Sequence, residues 1–470
     1  MASNQDNFLN SETARTEPYR PQFHFTSRRG WMGDINGLVF YKGEYHLHHQ
    51  VNPTGPDCDY SNMHWGHAVS NDLVHWNDLP PSISPDANGS AFSGTAVVDR
   101  ENSSGLQTGE EEVLVAFYTA AGYILPANLP GIQCMAFSND RGRSWTKYEG
   151  NPVVGPMAHY TRDPKVFWHE PSRTWIMALI LSEAGTVEDN TFGLFSSTDL
   201  RHWTLVSKLD MPPACDCPDM FELPVDGNPD NRRWVFWGGD CTYVVGSFDG
   251  RNFTPEDEIQ NTLVPWNENG SNGYAAQTFN GIPSADGRRI QIAWLRHGDY
   301  PGMAFYYQTA FPCELKLRTT PLGIRLCRLP VQEVERLHRK HHHWADTTLV
   351  QGESSPVDIA GELFDIRAEL ELSGEVRFEL NGQTVAYDAN TRRVSCMGYE
   401  VELPSPAEGS IRLQILVDRN SIELFVNEGE ASLTYCFLPK ADQKGVRVSA
   451  SVGSVRIISV DVHELSSIWT

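Results

Sequence analysis

At 470 residues the chain is long enough for two or three domains. Its 13 Trp, 38 Gly and 29 Pro favour a turn-rich β architecture over a helical bundle. A net charge of -23 excludes nucleic acid and anionic membrane as partners, because both repel it, and leaves a neutral ligand such as a sugar easy to accommodate.

Residues 1–20, "MASNQDNFLNSETARTEPYR", are polar and lack an apolar signal core. That suits a cytoplasmic start and a secreted chain with its signal removed equally well, so location stays open. No later run approaches the ~18 apolar residues that a membrane span needs. The nine cysteines are scattered and odd in number, which is no disulfide framework, although one or two bridges fit the count.

The first apolar strand opens with "GWMGDINGLVF", Gly30 to Phe40, and places Asp34 at its mouth. Taken alone, such an Asp is a turn residue. Downstream, one shape recurs: an apolar strand end, a Ser, an Asp turn and an aromatic. It reads "AVSNDLVHW" (Ala68 to Trp76), "AFSNDRGRSW" (Ala136 to Trp145), "LFSSTDLRHW" (Leu194 to Trp203) and "VGSFDGRNF" (Val245 to Phe253). Each copy is a hairpin turn preceded by one or two apolar strands. A fifth set appears at "RIQIAWL", Arg289 to Leu295. A four-stranded sheet roughly every 50–70 residues predicts a β-propeller, here of five blades over residues 20–335.

From Arg336 to His343 the text turns to "RLHRKHHH", which reads as a solvated basic linker over 336–348. The histidine triplet has no Cys, Asp or Glu at local ligand spacing, so no metal site is expected from it. Residues 349–470 return to period-two alternation with Asn-Gly and Asp-Arg-Asn turns, the pattern of an antiparallel β-sandwich.

In a propeller the first strand of each blade lines the central channel. Asp34, Asp163 in "YTRDPKVFW" and Asp216 in "CDCPDMFELP" stand at equivalent strand starts and therefore converge near the axis. Carboxylates converging in an aromatic-edged pocket are the equipment of glycoside hydrolysis: one acts as nucleophile, and another protonates the leaving oxygen. Trp31, Trp65, Phe92 and Trp294 are candidate walls for the sugar, although each aromatic is also a candidate core residue. Asp219 and Glu222 are nearby acids that alternation disfavours relative to Asp216.

These motifs resemble glycoside hydrolase family 32, the invertase, levanase and inulinase group, from Pro21 to the C-terminus. "WMGDING", "SNMHWGHAVSNDLVHW", "FSGTAVV", "TRDPKVFWHE", "CPDMFELPVDGNP", "YAAQTF", "RIQIAWL" and "LVDRNSIELFVNEG" follow in family order. The resemblance implies an all-β fold, a five-bladed propeller followed by a C-terminal sandwich. It implies cleavage of β-linked fructosyl groups from sucrose or fructan through a covalent fructosyl-enzyme. By the same resemblance Asp34 corresponds to the nucleophile, Asp163 to the transition-state stabiliser and Asp216 to the general acid/base. Asn36, Gln50, Trp65, Phe92 and Ser93 correspond to sugar-pocket positions, and Trp31, Arg162, Tyr274 and Trp294 are further candidates for substrate binding. No metal or cofactor is implied, and the family includes monomers and homodimers.

The chain departs from the family pattern inside the pocket. Asp216 replaces the usual Glu and withdraws the carboxyl by about one C–C bond, ~1.5 Å. Gly33 and Ile35 stand where Asn and Pro are usual. "NGSNGYAAQTF" lacks the acidic-aromatic pair usual before Tyr-Ala, and "TAFPCELKL" lacks an Arg before its Glu. Three readings follow: a β-fructosidase, a fructosyltransferase (including an intramolecular one that gives a difructose anhydride), or a fructan-binding protein with weak catalysis.

Overall fold

The computed structural model describes residues 15–122, 129–183, 191–211, 214, 216–261, 273–296, 298, 300–354, 359–403, 409–440 and 442–469. Five antiparallel blades occur in chain order. Blade I comprises Gly30–Tyr41, Glu44–Asn52, His64–Ser70 and Asn77–Ile83; blade II Ser90–Asp99, Val113–Gly122, Leu129–Ser138 and Thr146–Lys147. Blade III comprises Tyr160–His169, Thr174–Ser182, Thr191–Ser197 and Thr204–Asp210; blade IV Asp219–Val225, Asn228–Trp237, Thr242–Phe248 and Phe253–Pro255. Blade V comprises Gly273–Thr278, Arg289–Leu295, Cys313–Thr320 and Gly323–Pro330, and Val225 pairs in parallel with Leu317 to link it to blade IV. A short segment, Phe305–Tyr306, pairs in parallel with Gly30 and Trp31 and so joins blade V back to blade I.

The recurring Ser-Asp-aromatic text is one turn made four times. In blades I, II and III the Ser hydroxyl donates to the Asp two residues on. The Asp side chain then accepts backbone N–H groups: Asp72 from Val74 and His75, Asp140 from Ser144, Asp199 from Arg201 and His202, Asp249 from Arg251 and Asn252. The Trp indole closes the turn by donating to the carbonyl three residues back, Trp76 to Leu73, Trp145 to Gly142 and Trp203 to Leu200, at 3.0–3.1 Å. Asp supplies these acceptors from a short side chain, while Leu73, Arg141 and Leu200 in three of the turns take left-handed backbone (φ 65°, 57° and 62°).

The C-terminal region is a sandwich. A six-stranded sheet runs in the order His338–Val350, Ser454–Leu465, Phe364–Leu372, Ser410–Val417, Ser421–Val426, Ala431–Cys436. It faces a five-stranded sheet of Tyr399–Glu402, Arg393–Cys396, Gln383–Asp388, Glu375–Leu380 and Val446–Val452, and the inner residues of both, such as Phe364, Phe378, Ile415 and Val448, form one core. Residues 336–348 are therefore not a linker. His338–Val350 is the edge strand of the larger sheet, paired antiparallel with Ser454–Leu465. Its first half exposes Arg339, Lys340, His341 and His343, the charged and polar residues common on edge strands, and this hid the alternation.

The two regions are locked by buried polar contacts. His24 lies fully buried between Asp418 (Nδ1 to Oδ2, 2.8 Å) and Glu423 (Nε2 to Oε1, 2.7 Å). Asp418 also accepts the backbone N–H groups of Gln22 and Phe23, and Glu423 that of Phe311. Burial opposes a charge on His24, but its bonds to the two carboxylates win and raise it to about 9. The described cysteines are free thiols, so the bridges that the count allowed are not formed among them.

Candidate active site

Asp34 and Asp163 lie inside the innermost strands of blades I and III, each at a bulge. The pairing of Gly30–Tyr41 with Glu44–Asn52 shifts between Met32 and Ile35, so Gly33 and Asp34 together oppose Gln50. The shift at Arg162/Lys165 sets Asp163 and Pro164 against Leu179, and the shift at Ala91/Gly94 sets Phe92 and Ser93 against Thr119. A further shift follows Tyr274 in blade V. Bulges bend a strand and re-aim its side chains, and here they occur in the innermost strands of four blades. Asp216 precedes the innermost strand of blade IV, in a left-handed backbone (φ 51°) that Cys217 continues (φ 31°); Asp163 is left-handed too (φ 62°). Such conformations cost about 1–3 kcal/mol each and persist where surrounding bonds over-determine them.

Those bonds bring the three acids together. The Ser93 hydroxyl donates to Asp34 Oδ2 at 2.6 Å, and Gln50 Nε2 donates to the Ser93 oxygen at 2.7 Å. Cys217 donates its thiol to Asp34 Oδ2 (3.5 Å) and its backbone N–H to Asp163 Oδ2 (3.2 Å), while peptide-bonded to Asp216. The backbone N–H of Asp163 is held by Thr119 Oγ1 at 2.8 Å. Arg162 pairs with Asp216 and sends Nε to within 3.5 Å of Asp163, and Tyr274 donates its hydroxyl to Asp216 Oδ2 at 2.7 Å.

Crowding of acids in a buried place sets their protonation. Burial raises Asp163 to about 7, with Arg162 opposing and the charges of Asp216 and Asp34 adding. Asp34 is also raised, by burial first; the Ser93 hydrogen bond opposes and the charge of Asp216 adds. Cys217 is pushed up by burial and by all three neighbouring carboxylates, so it stays a thiol and can keep donating.

Aromatics edge the site. Trp31 meets Trp294 edge to face at 5.5 Å, and both approach Tyr307, at 6.3 and 5.5 Å. Phe92 lies 6.0 Å from the half-exposed Tyr60. Two expected pocket residues sit elsewhere. Trp65 is fully buried on the third strand of blade I, where its indole donates to the Phe92 carbonyl at 2.8 Å; it props up the Phe92–Ser93 bulge and forms no wall. Asn36 is fully buried as well, its Oδ1 receiving the Gly94 N–H. The competing acids are occupied: Asp219 pairs with Lys165 at 2.9 Å in the core, and Glu222 with Arg232. The segment before Tyr274, residues 262–272, lies outside the described residues.

Sequence reasoning missed Cys217, Thr119, Tyr60 and Tyr307. Cys217 could have been found, since it adjoins Asp216 in a quoted motif. The others announce themselves only through the fold.

Comparison with known proteins shows the family and the fold. The model of the glycosyl hydrolases family 32 N-terminal domain matches residues 24–324, and that of the family's C-terminal region matches residues 333–464. A levanase of Bacillus subtilis is 36% identical over 96% of this chain and 71% of its own length. An extracellular exo-inulinase of Aspergillus niger is 30% identical over 96% of both chains. Among solved structures, an exo-inulinase from Aspergillus awamori superposes with a TM-score of 0.86 at 27% identity, covering 97% of this chain and 100% of that one. A fructofuranosidase from Schwanniomyces occidentalis complexed with fructose gives 0.83 at 26%, covering 97% and 100%.

Proposed function

Because the chain belongs to glycosyl hydrolase family 32, as a β-fructofuranosidase-type glycoside hydrolase, we propose that it releases β-linked fructosyl residues from sucrose or fructan with retention, through a covalent fructosyl-enzyme. Asp34 attacks the anomeric carbon. Asp216 protonates the departing oxygen and then draws a proton from the water that hydrolyses the intermediate. Asp163 hydrogen-bonds sugar hydroxyls and offsets the positive charge of the oxocarbenium-like transition state. Arg162 and Tyr274 hold the Asp216 carboxyl, while Gln50 and Ser93 hold that of Asp34. The indoles of Trp31 and Trp294 and the ring of Phe92 face the sugar.

The observation that carries this reading is the Cys217 junction: one residue ties Asp34, Asp163 and Asp216 into a single cluster. The test is a chromatographic product profile with sucrose, inulin and levan in parallel. Free fructose is expected, with methyl β-fructofuranoside appearing when methanol is added. Asp34→Ala should abolish release and leave the circular dichroism unchanged; substantial residual turnover removes Asp34 from the nucleophile role. Lengthened oligomers or a difructose anhydride would make the chain a transferase, and no product from any of the three would make it a binding protein.

A further inference from the structure

The run "HRKHHHW" plays no part in the chemistry above. Strand alternation in His338–Val350 sends His341 and His343 to the same face of the sandwich. Across the pairing with Ser454–Leu465, His343 stands opposite Asp461 and His341 opposite His463. His341 Nε2 and His343 Nδ1 both lie 2.8 Å from Asp461 Oδ1, and one ligand atom from each of the three falls within 4.8 Å of the others. We propose that His341, His343 and Asp461 form a binding site for a borderline transition-metal dication such as Zn²⁺, which clips the first strand of the sandwich to its last.

The donor set argues for that class of ion. Two imidazole nitrogens and one carboxylate oxygen, with a position left open to water, suit Zn²⁺ and its neighbours; Mg²⁺ and Ca²⁺ prefer oxygen alone. The three side chains already converge on a single oxygen. An ion held at metal–ligand lengths of about 2.0–2.2 Å needs ligand atoms roughly 3.3 Å apart, so the 2.8 Å N···O contacts have only to open by about half an ångström. Both histidine side chains are about half exposed, at 50% and 51%, so an ion reaches them directly from solvent.

The surroundings fix the geometry. The His341 ring stacks on His463 at 4.4 Å and 9°, and His463 stacks on His338 at 3.9 Å and 7°; His338 in turn bonds Asp365 at 3.0 Å. This stack limits rotation of the His341 ring. The nearby cations are engaged elsewhere, Arg367 with Asp365 and Glu335 and Lys340 with Glu464. His342 points to the opposite face, where it bonds Glu464, and supplies an internal control.

The experiment is calorimetric titration of Zn²⁺ into the full chain, free of any polyhistidine tag, at pH 7.5. One ion per chain is expected, with a dissociation constant on the order of 1 μM, weaker than closed four-ligand sites. His343→Ala should weaken binding by more than the roughly 10-fold that loss of an outer-shell partner costs. His342→Ala should leave it unchanged, Mg²⁺ should give no heat, and sucrose turnover should be the same in every variant. The electron paramagnetic resonance spectrum of Cu²⁺ bound in place of Zn²⁺ should show two nitrogen ligands, falling to one in His343→Ala. The proposal is overturned by the absence of one-to-one binding, by equal losses in His342→Ala and His343→Ala, or by a His343→Ala chain that binds Zn²⁺ as tightly as the parent.

Discussion

Replacing Asp163 by Asn should make the protein more stable and less active, with a gain that depends on pH. The Asp163 carboxyl is 7% exposed and sits beside Asp34 and Asp216. Its pKa rises from 3.8 to about 7 on folding, because burial and two neighbouring negative charges outweigh the pull of Arg162. An acid raised in this way holds its proton in the folded state at pH values where the unfolded chain has already lost it. Stability therefore falls as pH climbs from about 4 to about 7, by up to about 1.4 kcal/mol per unit. The ceiling over that window is about 4 kcal/mol. Asp163 is one of several interacting carboxylates, so the gain from removing it alone stays below that ceiling. Asn cannot ionise, yet its amide oxygen can still accept the Cys217 N–H. Thermal unfolding at pH 4.5 and at pH 8 would show near-equal midpoints at the lower pH and a higher one for Asp163→Asn at the upper. Sugar-release kinetics on the same samples should show kcat falling more than KM changes, since the proposed bond strengthens in the transition state. A variant no more stable than the parent at pH 8, or a gain equally large at pH 4.5, would refute the reasoning.

Three further substitutions probe other joints. Asp216→Glu should lower kcat, by up to about 10²-fold, because the added methylene displaces a carboxyl already engaged by Arg162 and Tyr274; a rate increase would mean that the short acid is merely a handicap. Gly33→Ala would set a Cβ 2.2 Å from the Trp31 ring, and Trp31 is wedged against Trp294 and Tyr307; about 1–3 kcal/mol of stability and a higher KM are expected, and unchanged values would show that the indole moves freely. His24→Ala strands Asp418 and Glu423 as buried acids and should cost about 3–5 kcal/mol. Since the His24 pKa is raised from 6.5 to about 9, its contribution is complete below pH 6.5 and fades as pH rises through 9; a melting-point deficit as large at pH 10 as at pH 6 would contradict that.

The blades were legible because their information is local. A Ser-Asp-aromatic turn is built within nine or so residues, and its hydrogen bonds are the ones its residue types demand. The edge strand His338–Val350 was not legible, because charged and histidine residues on an exposed edge mask a period of two, and the acid that completes the His341–His343 pair lies more than a hundred residues away. The site was half legible. Motifs gave the positions of Asp34, Asp163 and Asp216 but not the bulges that aim them, which exist only in the register between paired strands. For the same reason a motif placed Trp65 near the sugar without giving its direction: it belongs to a third strand, and its indole points into the core.

The departures from the family pattern look different once side chains are in place. A pocket that is losing function would leave the space of its missing groups empty. At Gly33 the space is filled, since the Trp31 ring lies where a side chain would begin. At Asp216 the shorter carboxyl is met by donors on both oxygens, Arg162 on Oδ1 and Tyr274 on Oδ2. Two independent substitutions have each been closed over by a neighbour, and unfavourable backbone at Asp163, Asp216 and Cys217 is retained beside them. Strain kept in a repacked site is expected where geometry still matters to chemistry, and this favours a working hydrolase with altered reach over a binding protein that has lost its reaction.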